Sequence, residues 1–242
     1  MKPKTGIFST IVVVFILTLM GITQSFAQDE GGFVVVHDSN DTFVNLRADA
    51  NAKSVVKAKL KNGAVGYSFP GKGDWVNFEY MAGHDSLVSG FVHKSLIKDV
   101  SGFQELKSGG DEETATFTGN NIKVTLSQKA FNKQGHTVTY YKDDPKILDK
   151  IDGKRFWGTD GGMPVKAYSE ISVTFGSKTI KLPKEAMADV FEPNYEFTKV
   201  YYDKGNDILY ITASNSDGAG GYDVAWVIEN KKYRDRTVAI PY

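Results

Sequence analysis

The chain has no cysteine, four histidines and seven prolines in 242 residues, and its 29 basic and 29 acidic side chains cancel. Without thiols there is no disulfide scaffold, no thiolate zinc site, no cysteine nucleophile and no lipid-anchored bacterial N-terminus. The balanced charge lacks the basic excess with which nucleic-acid and anionic-membrane binders release counterions. Of His37, His84, His93 and His136, only the last falls in the second half of the chain, with no Gly-x-Ser-x-Gly elbow to accompany it. Zinc amidases need at least two histidines near a carboxylate. The expectation is therefore no metal, no cofactor and no enzyme.

Long apolar runs are also missing, apart from one. Lys2 and Lys4 precede the apolar residues 11–20, and these lead into Ser25-Phe26-Ala27. A charged start, a short apolar core and a small-x-small site are the parts of a secretory signal peptide, here 1–27 with cleavage after Ala27. The core is shorter than the ~20 apolar residues of a membrane span. The sequence thus predicts an exported protein, periplasmic or secreted, with no stable membrane span after cleavage. The leader takes Lys2 and Lys4 with it and leaves a net charge of −2.

Residues 31–100 read as short strands separated by turns. Phe33-Val34-Val35-Val36 and Phe43-Val44-Asn45-Leu46-Arg47 flank a polar turn, Asn62-Gly63 and Pro70-Gly71-Lys72-Gly73-Asp74 are turn signals, and Trp75-Val76-Asn77-Phe78-Glu79-Tyr80 alternates with period two. A strand every ten or so residues fits a small barrel or sandwich. Val44-Asn45-Leu46-Arg47, Ser54-Val55-Val56, Leu60-Lys61-Asn62-Gly63, Gly73-Asp74-Trp75-Val76-Asn77-Phe78 and the closing Ser89-Gly90-Phe91-Val92-His93-Lys94-Ser95-Leu96-Ile97 resemble, in order and spacing, the bacterial SH3 (SH3b) family over about 65 residues. Phe91 stands where that family usually has Trp, and the last hairpin is lengthened through Gly83-His84-Asp85. The resemblance implies an SH3-like barrel that recognises peptidoglycan peptides or a protein partner. Leu46, Val56, Leu60, Trp75, Phe91 and Ile97 are expected to fill the barrel, and Gly63 to need a positive φ. The candidate ligand surface is Tyr67, Trp75, Phe78, Tyr80 and His84, around the lengthened hairpin.

Residues 101–114 are rich in Gly, Ser and acids and read as a linker. From 115 to 242 the strand pattern returns: a hairpin through Gly176-Ser177, a helical spacing over 183–191 opened by Pro183, then a meander of four strands. The fold class expected is mainly β: a small SH3-like barrel, then a second antiparallel β-rich domain with one or two short helices. Tyr140-Tyr141 and Tyr201-Tyr202 each put one ring on either face of a strand, which leaves at least one of each pair able to face solvent. The long loop 215–221 has neither the acids of an EF-hand nor the Lys-Ser/Thr of a P-loop and reads as a wide hairpin loop.

Three functions fit this pattern. The first is a non-catalytic, exported envelope-binding protein whose partner is peptidoglycan or an envelope protein. The second is a periplasmic inhibitor or immunity-type protein that blocks a wall-degrading enzyme with the meander and the 215–221 loop. The third is a carboxylate-dependent wall hydrolase using two of Asp144, Asp149, Asp160 and Glu170.

Overall fold

Alternating apolar residues become antiparallel strands throughout a computed structural model that describes residues 31–82 and 86–241. The leader 1–27 and His84 lie outside the described residues. The first unit contains β1 (Gly32–Val36), β2 (Phe43–Arg47), β3 (Val56–Lys61), β4 (Val65–Phe69), β5 (Trp75–Met81), β6 (Leu87–His93) and β7 (Ile97–Asp99). They form one sheet in the order β3-β2-β6-β5-β4-β1-β7. Val34, Val36, Val44, Leu46, Leu60, Val76, Phe78 and Val92, drawn from five of these strands, converge on a single cluster. One sheet that packs its own face together in this way must curl around its core.

Next come β8 (Gln104–Glu105), β9 (Lys107–Gly110), β10 (Thr114–Gly119), β11 (Ile122–Ala130), β12 (Val138–Tyr140), β13 (Leu148–Ile151), β14 (Lys166–Phe175) and β15 (Lys178–Lys181). The meander follows as β16 (Thr198–Asp203), β17 (Ile208–Asn215), β18 (Tyr222–Glu229) and β19 (Lys232–Ala239). Two five-stranded sheets result, β15-β14-β11-β10-β9 and β19-β18-β17-β16-β8, and β12 pairs with β13. The turn between β10 and β11 carries Asn120 and Asn121 at φ 51° and 57°, the left-handed pair that a two-residue hairpin loop requires.

The meander sheet lies between the other two. Leu209, Ile211, Ala213, Val224, Trp226 and Ile228 face the outer sheet, while Ile208, Tyr210, Ala225 and Val227 face Val35, Val65 and Val100 of the first unit. Burial on both faces explains why β17 and β18 are nearly continuous apolar runs. It also half-buries Tyr201 and Tyr202, one against each neighbouring layer. Tyr140 and Tyr141, which have no such cover, are both exposed.

Two expectations about local structure need correction. The stretch 101–114 is not a free linker: β8 pairs with β16, β9 pairs with β10, and Leu106 between them is buried, its N–H donating to the Val200 carbonyl at 2.8 Å. The helical spacing over 183–191 yields a single 3-10 turn, Lys184–Ala186. Ala186, Met187, Val190 and Phe191 are buried, but they plug the end of the two-sheet core instead of forming a helix face. Their backbone is satisfied from outside: Trp226 Nε1 donates to the Ala186 carbonyl at 2.7 Å, Trp157 N to Asp189 O at 2.8 Å, and Phe191 N to Trp157 O at 3.0 Å. No helix among the described residues is long and apolar enough to cross a membrane.

Candidate functional site

Where the curled sheet meets the meander sheet, the packing does not close along its whole length. The apolar contact of Val35, Val65 and Val100 with Tyr210, Ala225 and Val227 is reinforced by Arg234 Nη2 donating to the Gly63 carbonyl at 2.8 Å and by Thr237 Oγ1 donating to the Val65 carbonyl at 3.4 Å. Beside this contact a cleft of about 520 Å³ opens between the units. That volume lies within the range of small-ligand sites.

The first unit supplies an aromatic row to this cleft. Phe33 and Tyr67 are register partners on β1 and β4 and meet edge to face at 5.1 Å, and Phe69 lies 4.9 Å from Tyr67. The second unit supplies Phe197, Tyr201, Lys199 and Asp223. Phe197 is 57% exposed. Lys199 is already engaged, with Nζ 3.1 Å from Glu105 Oε1.

Asp223 stands out. It shares its face of β18 with Ala225 and Val227, where the period of two calls for another apolar residue, and it is only 9% exposed. Desolvation by that burial pushes its carboxyl above the ordinary value of 3.8, opposed by hydrogen bonds from the Ser214 and Tyr67 side chains. Both donors are neutral hydroxyls. Among the described residues no lysine or arginine forms an ion pair with this carboxylate. A carboxylate this buried ordinarily has a cationic partner.

The four predicted ligand residues that are described, Tyr67, Trp75, Phe78 and Tyr80, do not form one surface. Phe78 is fully buried in the curled sheet and Tyr80 packs against the same cluster, while Trp75 projects from the opposite face of β5. Tyr67 is 4% exposed and belongs to the cleft instead. Trp75 is half-buried and meets His93 edge to face at 5.4 Å, in a shallow groove that Phe91, Asn51, Asp49 and Lys72 also line. Trp75 and Phe91 are therefore not core filling, and Val56 is 42% exposed. Gly63 does adopt the expected positive φ, 83°.

Two of the four carboxylates considered for hydrolysis, Glu170 and Asp144, have structural contacts. Glu170 Oε2 pairs with Lys181 Nζ at 2.5 Å, and Asp144 Oδ1 accepts from the Lys146 backbone N–H at 3.0 Å. His136, expected in an exposed turn, is held there by Asp152: Nδ1 lies 2.7 Å from Oδ2, and this hydrogen bond lowers the Asp152 carboxyl below its ordinary value. Among the described residues no group of three or more His, Asp or Glu side chains is placed to hold a metal ion. Comparison of the chain with protein-family models, with curated proteins and with solved structures finds no match.

Proposed function

We propose that this is an exported, non-catalytic cell-envelope protein that binds an extended peptide in the cleft between its two units, with the stem peptides of peptidoglycan as its ligand. The observation that carries this reading is the cleft itself: about 520 Å³, walled by Phe33, Phe69, Phe197 and Tyr201, with a buried carboxylate at Asp223. Aromatic walls with a few placed polar groups are typical of sites that bind rather than react. The leader-like residues 1–27 and the SH3b-like motifs over 33–98 support an envelope location and a wall-directed module.

The inhibitor alternative has less support. Its plugging loop, 215–221, is pinned to the body by Ser216 N to the Glu192 carbonyl at 3.1 Å and by Ser216 Oγ to the Gly158 carbonyl at 2.8 Å.

Co-sedimentation of the purified protein with peptidoglycan sacculi tests the proposal. Wild-type protein is expected in the pellet with no release of wall fragments, and Phe197→Ala, at an exposed site, is expected in the supernatant with an unchanged melting curve. Equal retention of that variant would move the ligand site out of the cleft. Release of wall fragments would contradict a purely binding role.

A further inference from the structure

Asp223 carries an inference about what part of a ligand this cleft reads. We propose that the cleft receives a protonated primary amine of the bound peptide, with the Asp223 carboxylate as its charge partner and the rings of Phe33, Phe69 and Tyr201 as its walls. The proposal rests on the cleft being the peptide site and deepens that reading by naming the recognised group.

Three observations converge. A carboxylate 9% exposed at the cleft lining is matched only to neutral donors, Ser214 and Tyr67, so its ionised form lacks an opposite charge among the described residues. An incoming ammonium would supply that charge in a site of low dielectric, where a charge-assisted hydrogen bond is roughly twice as strong as a neutral one. The walls include the aromatic rings of Phe33, Phe69 and Tyr201, and a ring attracts a cation that sits over its face through its quadrupole. Two lysines line the cleft, Lys94 and Lys199; Lys199 is turned to Glu105, and neither forms an ion pair with Asp223.

An ammonium is preferred over a guanidinium or a metal ion for definite reasons. A metal would require further oxygen ligands, and no three-residue group of that kind exists among the described residues. A guanidinium is recognised best by a bidentate carboxylate, whereas two hydroxyls already occupy positions on this one. Stem peptides carry a diamino acid whose side-chain amine is free until it is cross-linked, so this chemistry would select uncross-linked wall.

The test is calorimetric titration of the full protein with a synthetic stem tetrapeptide bearing a free side-chain amine, and with the same peptide acetylated at that amine. Wild-type protein is expected to bind the free amine at least about tenfold more tightly. Asp223→Asn should weaken binding of the free-amine peptide alone, so that the difference disappears. Equal affinity of wild-type protein for both peptides, with binding of both lost in Phe197→Ala, would overturn the amine assignment and leave the peptide cleft standing. If neither peptide binds, the wall-peptide reading fails and n-butylammonium chloride tests the amine site alone. Shifts of cleft amide resonances that vanish in Asp223→Asn would keep the amine site, and unperturbed resonances would overturn it. The comparison of two peptides on wild-type protein does not depend on how the variant folds.

Discussion

Arg234 and Gly63, 171 residues apart, are joined by a 2.8 Å hydrogen bond from the guanidinium Nη2 to the glycine carbonyl. The same guanidinium contacts Glu229 at 3.3 Å and Asp235 at 3.1 Å, so it is oriented before it reaches across. It links the turn after β3 to the first residues of β19, next to the apolar contact that closes the units together. Arg234→Ala is expected to lower stability by about 1.5–3 kcal/mol, the worth of a hydrogen bond to a charged donor. Calorimetry would show a melting point lower by a few degrees, and limited proteolysis would cut earlier between the units.

Asp223 gives a signed dependence on pH. Its folded-state carboxyl titrates above the ordinary 3.8 because burial disfavours the charge. The folded state therefore holds the proton more tightly than the unfolded chain, and the associated stabilisation is complete below 3.8 and is lost as pH rises through the higher folded value. Asp223→Asn carries no charge at any pH. It is expected to be at least as stable as wild type at neutral pH, with the gap closing at ~pH 3. Denaturation midpoints across pH would check this, and a less stable Asn variant at neutral pH would contradict it.

Arg236 is nearly buried at the opposite face of the meander sheet, where it pairs with buried Asp189 and donates to the Ala186 carbonyl at 3.0 Å, the same carbonyl that Trp226 Nε1 reaches. Removing one partner of a buried pair strands the other charge. Arg236→Ala should destabilise by roughly 3–5 kcal/mol, read as a large drop in the urea midpoint. Arg236→Lys should recover only part of the loss, because a lysine cannot reproduce the fork to both acceptors.

Gly66 on β4 faces Phe78, and a Cβ there would lie 2.3 Å from the ring Cζ and 2.6 Å from the Glu79 carbonyl. Gly66→Ala is expected to destabilise by about 1–3 kcal/mol or more through overpacking. Adding Phe78→Leu should relieve the ring clash and leave the backbone one, so a double-mutant cycle would show coupling.

Much of the strand content was legible because period two survives wherever one face is buried. Residues 43–47 and 75–80 in the first unit, and the hairpin through Gly176-Ser177 in the second, appear at or near the positions their alternation marks. The failures share a cause. Residues 107–110, Lys-Ser-Gly-Gly, form a strand with every side chain exposed, so no burial pattern marks them. The apolar spacing over 183–191 records what the end of the core requires, and only tertiary partners such as Trp226 show that no helix forms. The cleft was illegible for a simpler reason: its residues come from 31–33, 67–70, 76, 94–101 and 197–223, and nothing local tells one segment that it faces another. Asp223 offered the one available hint, a charge at an apolar position of β18.

The crossing at Leu106 bears on how such a protein is inherited. Its two flanking strands go to different sheets, β8 to the edge of the meander and β9 to the edge of the outer layer. A recombination breakpoint within 104–110 would strip one or both sheets of all or part of an outermost strand and bare a ready template for self-association. The apparent module at the front of the chain is thus separable only ahead of residue 104: a donated segment that ran on through 110 would take both edge strands with it and leave its former companion prone to aggregate.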